Sequence, residues 1–289
     1  MSSKKGKKIL IIGGTGFIGS VLVDVLNHHE EASVSVVHSQ PLKEVIPSRA
    51  LYYRLSAEEP AIEGLMAAHD VVVVLIRPHK KAMQNIANAI RKAQPSHVVY
   101  ASTTLLYDDA DTPQAEDARL RPVSAHELEK SEEERLLKAA AKNKTALTIA
   151  RLGSVYGDRG SDGIVSRAFH AAFQGEPLRV RSLSSVRDYI HVEDVARALA
   201  ALALRSSRQH EVINISSGAG ADLEKVLRLI ERVAGKSIKR TEGRKIKESG
   251  KIIADNKKYV KRFGGPTIDL KAGLKKTFER FRSWYDRRT

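Results

Sequence analysis

Cysteine is absent from all 289 residues, so disulfides, thiolate nucleophiles and cysteine-held metals are excluded together. No uninterrupted apolar run, Val71–Ile76 included, approaches the roughly 18 residues of a membrane-crossing helix. Aromatic residues make up 5% of the chain, with a single Trp, and this thin supply argues against a stacking platform for single-stranded nucleic acid. Acidic residues are scarce at one end only. From Lys236 onward there are 18 Lys and Arg against 6 Asp and Glu, a balance of +12 out of the +15 carried by the whole chain. Lys4, Lys5, Lys7 and Lys8 precede apolar Ile9 in the manner of a secretory leader, but the apolar stretch breaks at Gly13-Gly14 with no small-residue cleavage site. A cytoplasmic protein with no membrane partner is expected, and no metal site.

Short β-branched runs alternate with helical patterns through the first half, which predicts β-α-β units and a doubly wound parallel sheet. The expected strands are 8–12, 33–37, 51–54, 71–75, 97–101 and 146–150, and the expected helices 19–27, 80–93 and 124–142. Continuous apolar character at Val71–Leu75 suits a strand covered on both faces. Beyond residue 150 glycines loosen the pattern, leaving helices near 164–174, 192–204 and 223–234, a strand at 211–215, a basic loop and a terminal helix from Leu270. Two domains are expected, 1–150 and 151–289, with about 187–215 returning to the first.

The first strand runs into Gly13-Gly14-Thr15-Gly16-Phe17-Ile18-Gly19 and then a helix. Glycines at these spacings put bare backbone where a pyrophosphate approaches a helix N-terminus, and the last allows close helix–strand packing. The segment is therefore expected to bind a dinucleotide. About 20 residues on, where an acid would bond the adenosine ribose, the chain has His38. With no carboxylate there to bond a 2′-hydroxyl or repel a 2′-phosphate, NAD and NADP both stay open, as does a His38 that merely ends its strand.

Several stretches then resemble the extended short-chain dehydrogenase/reductase family, the NAD-dependent epimerases, dehydratases and reductases of nucleotide sugars. Gly13–Gly19 looks like its opening GGTGFIG, and Val98–Thr104 with Tyr107 like its V-Y-x-S-S-x-x-x-Y strand end. Arg151–Gly157 is similar to R-x-x-N-V-Y-G, and Arg187–Ala196 to R-D-Y-I-H-V-x-D-V-A; Asn214–Gly218 and Ala254–Asn256 follow in order. The resemblance implies a Rossmann-type α/β fold with a smaller, interleaved C-terminal substrate lobe, a nucleotide-diphosphate sugar as substrate, and a homodimer built on the helices 80–93 and 124–142. It also implies a Ser or Thr, a Tyr and a Lys four residues after the Tyr as the chemical centre. There Tyr exchanges a proton with a sugar hydroxyl, Lys holds the nicotinamide ribose, and Ser or Thr bonds the developing oxyanion.

Thr103 fits the hydroxyl position. The Tyr-x-x-x-Lys pair is missing: none of the eight tyrosines has Lys four residues on, and alignment on the helix 124–142 sets Lys130 at the Lys position and His126 at the Tyr position. His126 and Lys130, one helical turn apart, could form a variant acid/base pair. Alternatively the chain binds cofactor with little catalysis, or recruits Tyr107, Tyr156 or another donor. Leu75–His79 departs a second time, with Arg77 where family members carry small residues.

On the substrate side the resemblance implies that Arg187 and Tyr189 bind a diphosphate, that Ser154 stands at a substrate-touching Asn, and that Lys245 and Glu248 meet the diphosphate and nucleoside ribose. Asp188 and Asp194 are expected to be structural, capping the helix that follows Val192. The basic tail reads as an electropositive cover for an anionic small molecule. A nucleic-acid partner is the weaker reading, because the tail's aromatics fall on apolar helical positions.

Overall fold

The computed structural model describes residues 6–40, 48–77, 79–142, 144–158, 163–205, 207, 209–242 and 250–286. In chain order the elements begin β1 (Lys7–Ile12), α1 (Phe17–Asn27), β2 (Ala32–His38), β3 (Leu51–Arg54), α2 (Ile62–Ala67), β4 (Val71–Val74) and α3 (Lys80–Ala93). They continue with β5 (His97–Thr103), a 3-10 turn at Thr104–Leu106, α4 (Ala125–Ala141), β6 (Ala146–Leu152), β7 (Ser154–Tyr156), α5 (Ile164–Gln174), β8 (Leu178–Val180) and β9 (Val186–His191). Last come α6 (Val192–Arg205), β10 (Glu211–Ile215), β11 (Gly220–Asp222), α7 (Leu223–Ala234), β12 (Arg240–Glu242), β13 (Lys251–Ile252), α8 (Lys257–Phe263) and α9 (Leu270–Asp286).

The chain divides into two compact units. The first holds 1–106, 122–151 and 196–213; the second holds 107–121, 152–195 and 214–289. A seven-stranded sheet in the order β10-β6-β5-β4-β1-β2-β3 forms the first, and β1 pairs in parallel with both β2 and β4. Chain order reverses between β1 and β4, the Rossmann-type switch point at whose carboxyl edge ligands bind. Val71, Val72, Val73 and Val74 are all fully buried, as a central strand with helices on both faces requires. Packed around them are Leu10, Ile12, Met83, Ile86 and Leu147.

The second unit is built on β9, which pairs in parallel with β7 and β13 and antiparallel with β11. Its core gathers Phe169, Val226, Leu227, Ile230 and Leu274 from α5, α7 and α9. Where the sequence suggested a basic loop after residue 234, the structure has β12, β13 and α8. Strands of two or three residues exist only through their partners, so no local period announces them.

Candidate active site

The segment after β1 is shaped by contacts that leave no room for a Cβ. Gly13 takes φ +88°, in the left-handed region, and a Cβ there would lie 3.0 Å from the Leu75 carbonyl oxygen. At Gly14 it would lie 2.7 Å from Val36 Cγ1, and at Gly19 2.3 Å from the Gly13 oxygen. Hydrogen bonds from Gly13 N to Val37 O and from Gly16 N to Gly13 O, both 3.1 Å, fix the turn. Gly16 is the N-cap of α1 and offers no side-chain cap, and the first turn carries no acid. Backbone N–H groups and the positive end of the helix dipole are thus presented at Thr15-Gly16, both exposed; Phe17 and Ile18 are half-buried beside them. This cradle fits a pyrophosphate.

His38 ends β2 beside Arg54, its register partner on β3. It is 7% exposed, its Nδ1 lies 2.8 Å from the Gln40 carbonyl oxygen, and its ring meets Tyr52 edge-on. The exposed positions that follow it are Ser39 and Gln40.

At the carboxyl end of β5, Thr103 Oγ1 accepts from Leu105 N at 3.2 Å, which leaves its own hydroxyl hydrogen to give away. Helix α4 starts with a capping box in which Ser124 and Glu127 satisfy one another's backbone N–H groups. His126 therefore occupies the second helical position, solvent-exposed and on the same face as Lys130. Desolvation, with the Lys130 charge behind it, lowers the His126 pKa from its ordinary 6.5, so the imidazole is neutral and proton-accepting at pH 7.

Lys130 is 6% exposed. Its Nζ donates to Tyr100 Oη at 2.9 Å and to the Ala101 carbonyl at 3.1 Å, and it pairs with Glu133 Oε2 at 3.3 Å. Burial lowers its pKa, while Glu133 pulls the other way. Tyr100 donates its hydroxyl to Glu133, and burial, reinforced by that carboxylate, pushes the phenol far above its ordinary range. Next to this lies a second ionic knot. Glu134 accepts from Arg151 through both carboxylate oxygens, at 3.0 and 2.8 Å, and from Ser102 Oγ at 2.6 Å. Tyr100, Ser102, Glu133 and Arg151 were not singled out from sequence. Their signal was α4 itself, which buries Glu127, Lys130, Glu133 and Glu134 along one stripe before Leu137.

In the second unit Ser154 and Tyr189 face one another across the β7–β9 ladder. Tyr189 is 7% exposed, and burial pushes its phenol up to about 12. Arg187, half-buried, donates to the carbonyls of Val186 at 2.8 Å and Gly250 at 3.4 Å. Lys245 and Glu248 lie outside the described residues.

Asp188 and Asp194 are structural, though not in the expected way. Asp188 accepts from Ser217 N, Ser217 Oγ and Gly218 N rather than capping α6, and Asp194 accepts from Thr267 N at 2.8 Å and Ile268 N at 3.1 Å. Both carboxylates clamp segments distant in sequence. The spare tyrosines are engaged as well. Tyr107, 1% exposed, donates to Asn214 Oδ1 at 2.7 Å, and Tyr156, 2% exposed, to the Leu270 carbonyl.

Comparison with known proteins agrees with this geometry. The family model described as "NAD dependent epimerase/dehydratase family" matches residues 9–216. The chain is similar to the UDP-N-acetyl-alpha-D-glucosaminuronate decarboxylase of Bacillus cytotoxicus, at 26% identity over 81% of this chain and 82% of that one. It is similar also to the dTDP-4-dehydro-6-deoxyglucose reductase of Escherichia coli, at 25% identity over 95% and 97%. Among solved structures, MoeE5 in complex with UDP-glucuronic acid and NAD superposes with TM-score 0.86 at 26% identity, covering 96% of this chain and 99% of that one. The UDP-glucose 4-epimerase of Thermotoga maritima with UDP-glucose gives 0.85, with the same identity and coverage.

Proposed function

Because the chain belongs to the NAD-dependent epimerase/dehydratase family, we propose that it binds a nicotinamide dinucleotide on Gly13–Gly19 and acts on a nucleotide-activated sugar, as an epimerase, dehydratase or reductase. The observation that carries this reading is the glycine cradle at the switch point: bare backbone, an uncapped helix start and no acid in its first turn. When bound, the nicotinamide would supply or accept the hydride. The remaining chemistry falls to the chain's own side chains. Neutral His126 is suited to take a proton from a sugar hydroxyl through an imidazole nitrogen, and the Thr103 hydroxyl to donate to the oxygen on which charge develops. Arg187, with Tyr189 on the same strand and Ser154 paired to it, would hold the diphosphate end, because a guanidinium matches phosphate oxygens with a planar, permanently charged fork. Lys245 and Glu248 are proposed beside it on the resemblance alone.

A second reading, dinucleotide binding with little turnover, is favoured by one observation: the buried Lys130 ammonium is already engaged by Tyr100, the Ala101 carbonyl and Glu133. A single experiment separates the readings. NAD, NADP and UDP-glucose are titrated by calorimetry, and turnover of a panel of UDP- and dTDP-sugars is followed for wild type and His126→Ala. Dinucleotide binding with turnover that His126→Ala abolishes supports the enzyme; binding without turnover supports the second reading; no dinucleotide binding removes both. We also propose a homodimer through α3 and α4, supported by the exposed apolar Val123 (53%) and Leu128 (54%) at the start of α4. Sedimentation at the monomer mass would exclude it.

A further inference from the structure

We propose that Tyr100 and Glu133 are positioning residues that withhold Lys130 from the cofactor; only the functional consequence of this rests on the dinucleotide reading above. An ammonium has three N–H groups. Two of those of Lys130, on a side chain 7% exposed, go to Tyr100 Oη and the Ala101 carbonyl at 2.9 and 3.1 Å, and the ammonium forms an ion pair with Glu133 Oε2 at 3.3 Å. Reaching a ribose hydroxyl would draw the ammonium away from these partners, at the expense of a buried, charge-assisted hydrogen bond or of the ion pair.

Glu133 is the centre of the arrangement. Its Oε2 accepts the Tyr100 hydroxyl and meets the ammonium, and its Oε1 accepts the backbone N–H of His79 at 3.3 Å. His79 in turn is the N-cap of α3, its Nδ1 accepting from Ala82 N at 3.4 Å. One carboxylate therefore ties β5, α4 and the start of α3 together. Glu133 thus links α4, the helix that carries His126, to His79, the last residue of the Arg77-bearing segment. Tyr100 adds selectivity to the lock: kept protonated, it gives its hydrogen to Glu133 and must receive one from Lys130. A purely structural ion pair would make the same contacts, so the test must read the availability of Lys130 rather than stability.

Reductive methylation with formaldehyde, mapped residue by residue by mass spectrometry, is carried out on wild type, Tyr100→Phe and Glu133→Gln, all as the full chain. Calorimetry with NAD and with ADP, which lacks the nicotinamide ribose, accompanies it. In wild type Lys130 is expected to react about tenfold or more slower than Lys275, whose side chain is 72% exposed, because its amine is desolvated and hydrogen-bonded. Each variant should release it severalfold. In Glu133→Gln the preference for NAD over ADP should rise about fivefold or more, as expected of a newly available charged hydrogen bond. Wild-type Lys130 labelling as fast as Lys275 overturns the proposal, and that measurement needs no variant to fold. A released Lys130 with an unchanged NAD-to-ADP ratio overturns the claim that the lock acts on the cofactor. Failure of wild type and variants to bind either nucleotide removes the dinucleotide reading and with it the consequence for the cofactor, while the labelling still decides whether Lys130 is withheld.

Discussion

At the scale of single residues, small differences of side chain decide what the site can do. Gly19 has no room for even one carbon, since a Cβ would stand 2.3 Å from the Gly13 oxygen. Gly19→Ala should therefore cost about 1–3 kcal/mol of stability through overpacking and weaken dinucleotide binding, measured by urea titration and calorimetry. A variant as stable as wild type that still binds would show that the segment is looser than described. His126 makes the opposite point. An imidazole here is useful as a base because desolvation and the neighbouring ammonium keep it neutral, and its place in the first turn of α4, at the positive end of the helix dipole, works in the same direction. Any rate that depends on His126 accepting a proton should be flat near pH 7 and fall only on the acid side, below the ordinary 6.5. The composition and spacing of the sequence exposed the missing Tyr-x-x-x-Lys, but could not show that Tyr107 and Tyr156 are committed elsewhere by hydrogen bonds within the second unit.

At the scale of elements, α4 is unusual because much of the stripe it buries is ionic. The carboxylate of Glu134 meets Arg151 through two parallel hydrogen bonds, both side chains 3% exposed. Breaking one partner of such a pair leaves a charge buried without its counter-ion. Glu134→Ala should accordingly lower the unfolding free energy by about 3–5 kcal/mol in urea melts. A loss as small as that expected of an exposed pair such as Arg135–Glu132 would mean that Arg151 finds water or another acceptor. The helix is legible from its sequence as the expected span 124–142. That Lys130, Glu133 and Glu134 face inward follows only once Tyr100, Ser102 and Arg151 are seen on the adjoining strands.

For the whole molecule, histidines with lowered pKa values, the buried His191 foremost, link folding to pH. His191 is 1% exposed and desolvation holds its pKa below the ordinary 6.5, with His126 and His170 shifted the same way. Below about pH 6.5 the unfolded chain takes up protons that the folded chain refuses, so stability rises with pH through that window and falls on acidification. The melting temperature is expected to drop between pH 7 and 5.5, and a constant one would mean these imidazoles are not held neutral. Sequence by itself determined the alternation of strand and helix in the first unit, the glycine cradle, the family, and the placing of +12 of the net charge beyond residue 235. Each is a local property: a period, a spacing, a backbone without side chains, a count. The short strands around β9, the passage of 107–121 into the second unit, the clamps made by Asp188 and Asp194 and the enclosure of Lys130 were decided only in three dimensions. They depend on partners far away along the chain, 74 positions between Asp194 and Ile268 alone, and no local pattern encodes which donor a buried carboxylate or ammonium will meet.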